Sequence, residues 1–409
     1  MPLTRADCER LDEADLLGGL RESFAVPERL IYLDGNSLGI MPRQAANRAA
    51  MVLKEWEEHL VGGWNDAGWW DLPITLGDKI ARLLGAAPGT MVVTDNTTSN
   101  LFKVINAAIA RDASGDIVAA TTSFPSDLYV AADIAARHGR RLRLVGRDAE
   151  SLTELLEQPV AVVVIEHVDF RTGALADMKA VTSHIHDRGA LVIWDLSHSA
   201  GVVPVELAAC GADFAVGCTY KYLNGGPGSP AYVYVAPHLI TEATQPIPGW
   251  LGHAEPFRME PDYRPSSTIR RFLTGTPSIV AMRVLESSID LFDGIDISAV
   301  RAKSAALTDL FIRLVDERSP EAEVVSPRQA AMRGSQVSLR HQDGRAITRD
   351  LIAAGVRGDF RAPDLLRFGF APLYLRFTDV WDAVDVLATV LDQRSASASN
   401  AEDDWHAPT

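Results

Sequence analysis

The 409-residue chain carries 39 Lys and Arg against 54 Asp and Glu, a net charge of −15, with 47% hydrophobic and 23% charged residues. That balance disfavours nucleic acid or an anionic membrane as partner and describes an ordinary globular chain long enough for two domains. Cys8, Cys210 and Cys218, at unrelated spacings, outline neither a disulfide framework nor a zinc motif, and no long apolar run or signal-peptide core is present, so the expectation is a cytoplasmic protein.

Residues 1 to about 30 read as a helical lead-in with Leu11, Ala14 and Leu17 on one face. Ile31 to Leu33 is a short strand, and Asp34-Gly-Asn-Ser-Leu-Gly39 is a turn whose Asn36 and Ser37 serve either a ligand or the turn itself. Pro42 opens a helix to about His59. Between Val61 and Pro73 three tryptophans stand among glycines, either as buried packing or, through Trp64, as a stacking surface. Asp95 to Asn100 precedes an apolar stripe at Leu101, Val104, Ile105 and Ala108, the spacing of a helix. Hydroxyls there cap the helix, and the same helix start is a phosphate site, which makes Thr97 and Thr98 phosphate ligands.

Strands then alternate with helices: strands at 117–121, 141–145 and 160–165, helices at 128–138, 149–157 and 176–188. Phe124, just past the first of these strands, either lies on an aromatic ligand or belongs to the core. His184 and His186 point apart on their helix and share no metal. Such alternation implies a mainly parallel, doubly wound sheet.

The chemistry gathers at the next two strands. The buried run Ala190 to Trp194 stops at Asp195, followed by Leu-Ser-His198, and the run Phe214 to Val216 leads to Thr219-Tyr-Lys221-Tyr and the turn Asn224-Gly-Gly-Pro-Gly228. Taken alone, Asp195 is a helix cap and Lys221 extends its charge to water. Taken together they fit pyridoxal phosphate, which needs an amine for its aldehyde and an acid for its ring nitrogen, both at the ligand-binding ends of neighbouring strands.

After Val235 the texture changes: a proline-rich loop from Pro246 to Arg264, helices from about Ser278 to Phe292 and Ile297 to Glu317, and strands near Val324, Gln336 to Arg340 and Leu365 to Phe370. A last helix, Asp379 to about Gln393, precedes a tail of low hydrophobicity.

YLDGNSLG at 32–39, FPSD at 124–127, WDLSHSAG at 194–201 and YKYLNGGPG at 220–228, continued by GWLGH, TGTP and LRFGFAPLY, resemble kynureninases over nearly the whole chain. The resemblance implies the α/β type I fold of pyridoxal-phosphate enzymes, with a large domain on a mainly parallel sheet and a smaller C-terminal α+β domain. The chain would divide into an N-terminal arm and segment contributing to the small domain (1–50), a large cofactor domain (51–277), a small C-terminal domain (278–393) and a disordered tail (394–409). It implies a homodimer with shared active sites. The implied reaction is hydrolysis of L-kynurenine, or its 3-hydroxy form, to anthranilate (or 3-hydroxyanthranilate) and L-alanine, in tryptophan catabolism.

Position by position, the resemblance makes Lys221 the aldehyde-binding lysine and Cα base, Asp195 the partner of the ring nitrogen with His198 beside it, and Phe124 the ring stack. Asp127 falls on the phenolic-oxygen side, and Thr97, Thr98 and Tyr220 fall at the phosphate, with Tyr220 also a candidate acid. Thr172 joins the cofactor contacts, and Trp250 and Thr276 reach it from the partner subunit. Arg367 clamps the substrate carboxylate, while Ser37, His59 and Trp64 face its aromatic end. A cysteine desulfurase would need a nucleophilic cysteine in a C-terminal loop, a non-catalytic pyridoxal-binding regulator would bring a basic DNA-binding segment, and a nicotinamide enzyme would need GxGxxG; the sequence has none of these.

Overall fold

Seven apolar runs pair into one sheet, in the order Met91–Val93, Tyr232–Val235, Phe214–Gly217, Leu191–Asp195, Val160–Glu166, Asp116–Ala120, Leu142–Val145. The computed structural model that shows this describes residues 3–111, 114–146 and 158–396. Neighbouring pairs among the five strands from Phe214–Gly217 to Leu142–Val145 are all parallel, and only Tyr232–Val235 runs against its neighbours. Val160–Glu166 is buried at every position, as expected of a strand covered on both faces. Because the strands are parallel, the carboxyl ends of Asp116–Ala120, Val160–Glu166, Leu191–Asp195 and Phe214–Gly217 share one edge. Register sets Glu166 opposite Asp195 and Asp195 opposite Val216.

The residues group into two compact units, one of 44–169 and 176–294 and one of 1–43, 170–175 and 295–409. These bounds depart from the expected 50/51 and 277/278. In the larger unit, helix Gln44–His59 packs along helix Ile279–Ile289, and Arg48 on the first reaches Asp290 at 3.1 Å and Glu286 at 3.5 Å. The two helices therefore stay with the sheet. Gly77 lets helix Leu72–Leu83 lie against strand Met91–Val93, since a Cβ there would stand 2.3 Å from the Met91 carbonyl oxygen.

The smaller unit has an antiparallel sheet in the order Asp359–Arg361, Leu365–Gly369, Gln336–Arg340, Glu323–Val324, and a parallel pair, Ile31–Tyr32 with Val356–Arg357. Helix Ile297–Arg318 covers the sheet through Phe311, whose ring lies 4.9 Å from that of Phe368 and 5.2 Å from that of Phe370. The N-terminal helix Arg5–Glu13 buries Cys8 and not the expected face, since Leu11 and Ala14 are exposed. The last helix runs Phe377–Ala396, past the expected start of the tail at 394. The helix expected at 149–157 and residues 397–409 lie outside the described residues.

Candidate active site

The carboxyl edge of the large sheet brings six of the expected residues together. Lys221 lies past strand Phe214–Gly217, in a segment closed by Gly225 N–H donating to the Thr219 carbonyl at 2.8 Å and Asn224 N–H donating to that of Lys221 at 2.9 Å. Its Nζ meets His198 Nε2. The Phe124 ring centre is 5.9 Å from that Nζ and the Tyr220 ring centre 6.0 Å. Phe124 remains exposed just before helix Pro125–Arg137 and is not part of the core.

Asp195 and Asp127 are both buried. Asp195 Oδ1 accepts from Ser197 N–H at 2.8 Å, and Asp127 Oδ2 is buried without a hydrogen-bond partner. Burial raises both carboxyls, and Asp127 is pushed further by the charges of Asp195 and Glu166. Ser197 and Lys221 hold Asp195 lower, so the proton of the pair favours Asp127 over Asp195. The Asp127 carboxyl thus lies beside Asp195. Glu166 completes the group, accepting from the Ser123 hydroxyl at 2.7 Å. The Tyr220 phenol is raised by Cys218 and by burial, and stays protonated at neutral pH.

Thr97 and Thr98 open helix Thr97–Ile109. The cap is the Asn96 carboxamide, which accepts from Ser99 N–H at 2.9 Å, and not a threonine hydroxyl. Lys103, one turn on, is fully buried; its Nζ meets Asp95 and donates to the Phe272 carbonyl at 2.6 Å, fixing the loop before the helix. Trp64 packs edge-on against Trp69 and Trp70, at 6.1 and 6.5 Å between ring centres. His59 is exposed at the end of its helix, 3.6 Å from the Asp66 carboxylate. Trp250 and Thr276 are exposed, and Trp250 lies 6.0 Å from Trp70.

Three expected residues belong to the smaller unit. Thr172 Oγ1 accepts from Ala174 N–H at 3.2 Å. Ser37 and Arg367 form a second cluster with two residues that sequence reading missed, Asp34 and Asp359. Asp359 stands opposite Arg367 on adjacent antiparallel strands, which places both side chains on one face. It accepts from Arg367 Nε at 2.7 Å and from Nη2, and from the Ser37 hydroxyl at 2.7 Å; Arg361 Nη2 lies 3.1 Å away. These donors hold the Asp359 carboxyl below its ordinary value despite burial. Asp34, whose buried Oδ1 has no hydrogen-bond partner, is raised to about 7, first by burial and then by Asp359. Below about pH 7 the cluster therefore sets two guanidiniums against one full carboxylate.

Comparison with known proteins gives a consistent result. Residues 300–387 match the family described as the kynureninase C-terminal domain. A kynureninase of Pseudomonas fluorescens is 50% identical over 402 residues, 96% of each chain, and one of Burkholderia pseudomallei (strain K96243) is 47% identical over 415 residues, 99% of this chain and 97% of the relative. Among solved structures, a variant of C-DES with glycine covalently linked to its PLP cofactor matches with a TM-score of 0.80 at 19% identity, over 90% of this chain and 98% of that one. A cysteine desulfurase of Escherichia coli matches with a TM-score of 0.77 at 19% identity, over 92% and 98%. These two share the type I fold of pyridoxal-phosphate enzymes with the present chain. Identity sustained along almost the full length of both sequences settles the closer relationship: the chain belongs to the kynureninase family.

Proposed function

We propose that the protein hydrolyses L-kynurenine or its 3-hydroxy form to the corresponding anthranilate and L-alanine, using pyridoxal 5′-phosphate held by Lys221. The observation that carries this reading is the convergence, at one sheet edge, of Lys221 on His198, with Phe124 beside it and the buried carboxyls of Asp195 and Asp127 next to each other. The donor set fits the cofactor: an amine for the aldehyde, an anion for the ring nitrogen, a ring to lie on the pyridine, and a helix start for the phosphate.

Bound there, the cofactor supplies an electron sink for bonds at the substrate Cα. Lys221 would hold the aldehyde and serve as the base for the Cα proton. Asp195 would face the ring nitrogen, with Asp127 on the same side as the more readily protonated carboxyl of the two. Thr97, Thr98 and Tyr220 hold the phosphate, and the protonated Tyr220 phenol is the acid available to the leaving carbon. Arg367 takes the α-carboxylate, which supplies the anion its cluster lacks. Hydrolysis would add water to the γ-carbonyl and break the Cβ–Cγ bond, with Cγ leaving as the anthranilate carboxyl and Cβ taking a proton to become the alanine methyl.

Thr172, Trp250 and Thr276 are assigned to the cofactor, the last two from a second copy. Their exposure supports a homodimer, as do exposed Met51 and Trp56 on helix Gln44–His59 and exposed Leu60 and Val61 after it. His59 and Trp64 are assigned to the aromatic end of the substrate, whereas Ser37, bonded to Asp359, goes to the carboxylate end. No helix among the described residues is long and apolar enough to cross a membrane, and we assign the protein to the cytoplasm. A desulfurase reading is disfavoured: Cys8 and Cys218 are buried and burial raises all three thiols, that of Cys8 to about 11.

The test is product stoichiometry. Holoenzyme given L-kynurenine should release one anthranilate and one alanine per substrate consumed; a protein that binds the cofactor but releases no anthranilate would contradict the substrate assignment.

A further inference from the structure

The edge of Arg367 that meets a carboxylate is decided within the smaller unit. A guanidinium has five N–H donors and can take a carboxylate on its Nε/Nη2 side or its Nη1/Nη2 end. Asp359 occupies the first, with Oδ1 at 2.7 Å from Nε and Oδ2 on Nη2. Nη1 uses one of its two hydrogens on the Phe170 carbonyl at 2.7 Å. That carbonyl is fixed in turn by the Gln336 amide, which donates to it at 3.0 Å. The Ser37 hydroxyl has a single hydrogen and gives it to Asp359 Oδ2 at 2.7 Å, so at 3.3 Å from Nη2 it offers a lone pair. Arg367 is therefore held on one side by an anion, on the other by a backbone carbonyl, and capped at its end by the one neutral, exchangeable acceptor.

We propose that Asp359 is a positioning residue that reserves the Nη1/Nη2 end of Arg367 for the substrate α-carboxylate, and that the carboxylate displaces the Ser37 hydroxyl from Nη2. Resting on the reading of Arg367 given above, this explains the cross-strand placement of Asp359. A lone buried arginine could swing between edges; one paired on its Nε side presents a single fork. It also gives Ser37 a function in substrate exchange. The charges agree: Arg361 and Arg367 converge on Asp359, and Asp34 beside them is raised to about 7 by burial and by Asp359, so below that pH one further anion completes the cluster.

The test compares holoenzymes of the wild type, Asp359→Asn, Asp359→Glu and Ser37→Ala, using L-kynurenine and its decarboxylated amine. With the fork released, Asp359→Asn should raise KM for L-kynurenine about tenfold or more, with kcat changed less than about threefold and the apparent affinity for the amine unchanged. Asp359→Glu should recover part of the KM, and Ser37→Ala should shift it less than about threefold in the direction of tighter binding, because a competitor for Nη2 is gone. A KM within about twofold of wild type for Asp359→Asn, or equal loss of affinity for substrate and amine, would overturn the proposal. If Asp359→Asn fails to fold, Asp359→Glu and Ser37→Ala decide: unchanged KM in both refutes it. Wild-type protein that releases no anthranilate would fail the functional reading instead, and titration of the cofactor absorbance with L-alanine against ethylamine would still report whether Asp359→Glu alters carboxylate recognition.

Discussion

Replacing Asp34 by asparagine should make the protein progressively more stable than the wild type as pH rises from 5 to 8. The Asp34 carboxyl is raised from 3.8 to about 7, because burial and neighbouring Asp359 disfavour its charge more than Ser37, Arg367 and Arg361 favour it. A raised acid contributes stability that is complete below the unfolded value and is lost as pH climbs through the folded one. Of the interval between 3.8 and about 7, roughly two units lie above pH 5, and at about 1.36 kcal/mol per unit the wild type loses about 2.5 kcal/mol between pH 5 and 8 that Asp34→Asn keeps. The assay is denaturant unfolding of both proteins at pH 5, 6.5 and 8, read as the difference between them so that other titrations cancel. A difference constant within about 0.5 kcal/mol over that range would refute the reasoning, since it would mean that Asp34 titrates alike in the folded and unfolded chains.

Ionising Asp34 also cancels the positive charge of its cluster, so KM for L-kynurenine should rise above about pH 7, and the rise should flatten in Asp34→Asn; parallel profiles would count against the charge argument. Asp195→Ala removes the buried carboxyl that would face the cofactor's ring nitrogen and should lower kcat/KM by about 10²- to 10³-fold, checked by anthranilate release at saturating cofactor. Gly77→Ala drives a Cβ into the Met91 carbonyl and should cost about 1–3 kcal/mol, seen as a lowered Tm with KM for kynurenine unaltered in the surviving fold.

The cofactor side of the site was legible because its residues end long apolar runs. Leu191–Asp195 and Phe214–Gly217 read as buried strands, and since they are sheet neighbours, the acid and lysine that follow them are neighbours as well. Phe124 and Asp127 follow a third such strand. The second cluster was not legible in the same way. Asp359 lies on a three-residue strand with no periodicity to detect, and its pairing with Arg367 depends on a cross-strand register that only the folded sheet defines. Ser37 lies 330 residues from Arg367 in the chain, so the turn motif left it open between a ligand and the turn itself and gave no link to Arg367. The N-terminal face failed for a physical reason too: helix Arg5–Glu13 is strongly polar and is held by its Thr4 capping box and by Arg5 bonded to Asp382, so apolar spacing does not decide which side is buried. Strand Met91–Val93 escaped notice at three residues, although it precedes the helix that carries Thr97 and Thr98.

The most direct measurement of the central claim is borohydride reduction of the holoenzyme followed by peptide mass analysis, with Lys221→Ala treated in parallel. The expected result is a pyridoxyl group on Lys221 alone, anthranilate release from the unreduced wild type, and neither the adduct nor the product from Lys221→Ala. A stable pyridoxyl adduct on another lysine, or anthranilate release undiminished in Lys221→Ala, would contradict the assignment of the cofactor and its chemistry to this strand end.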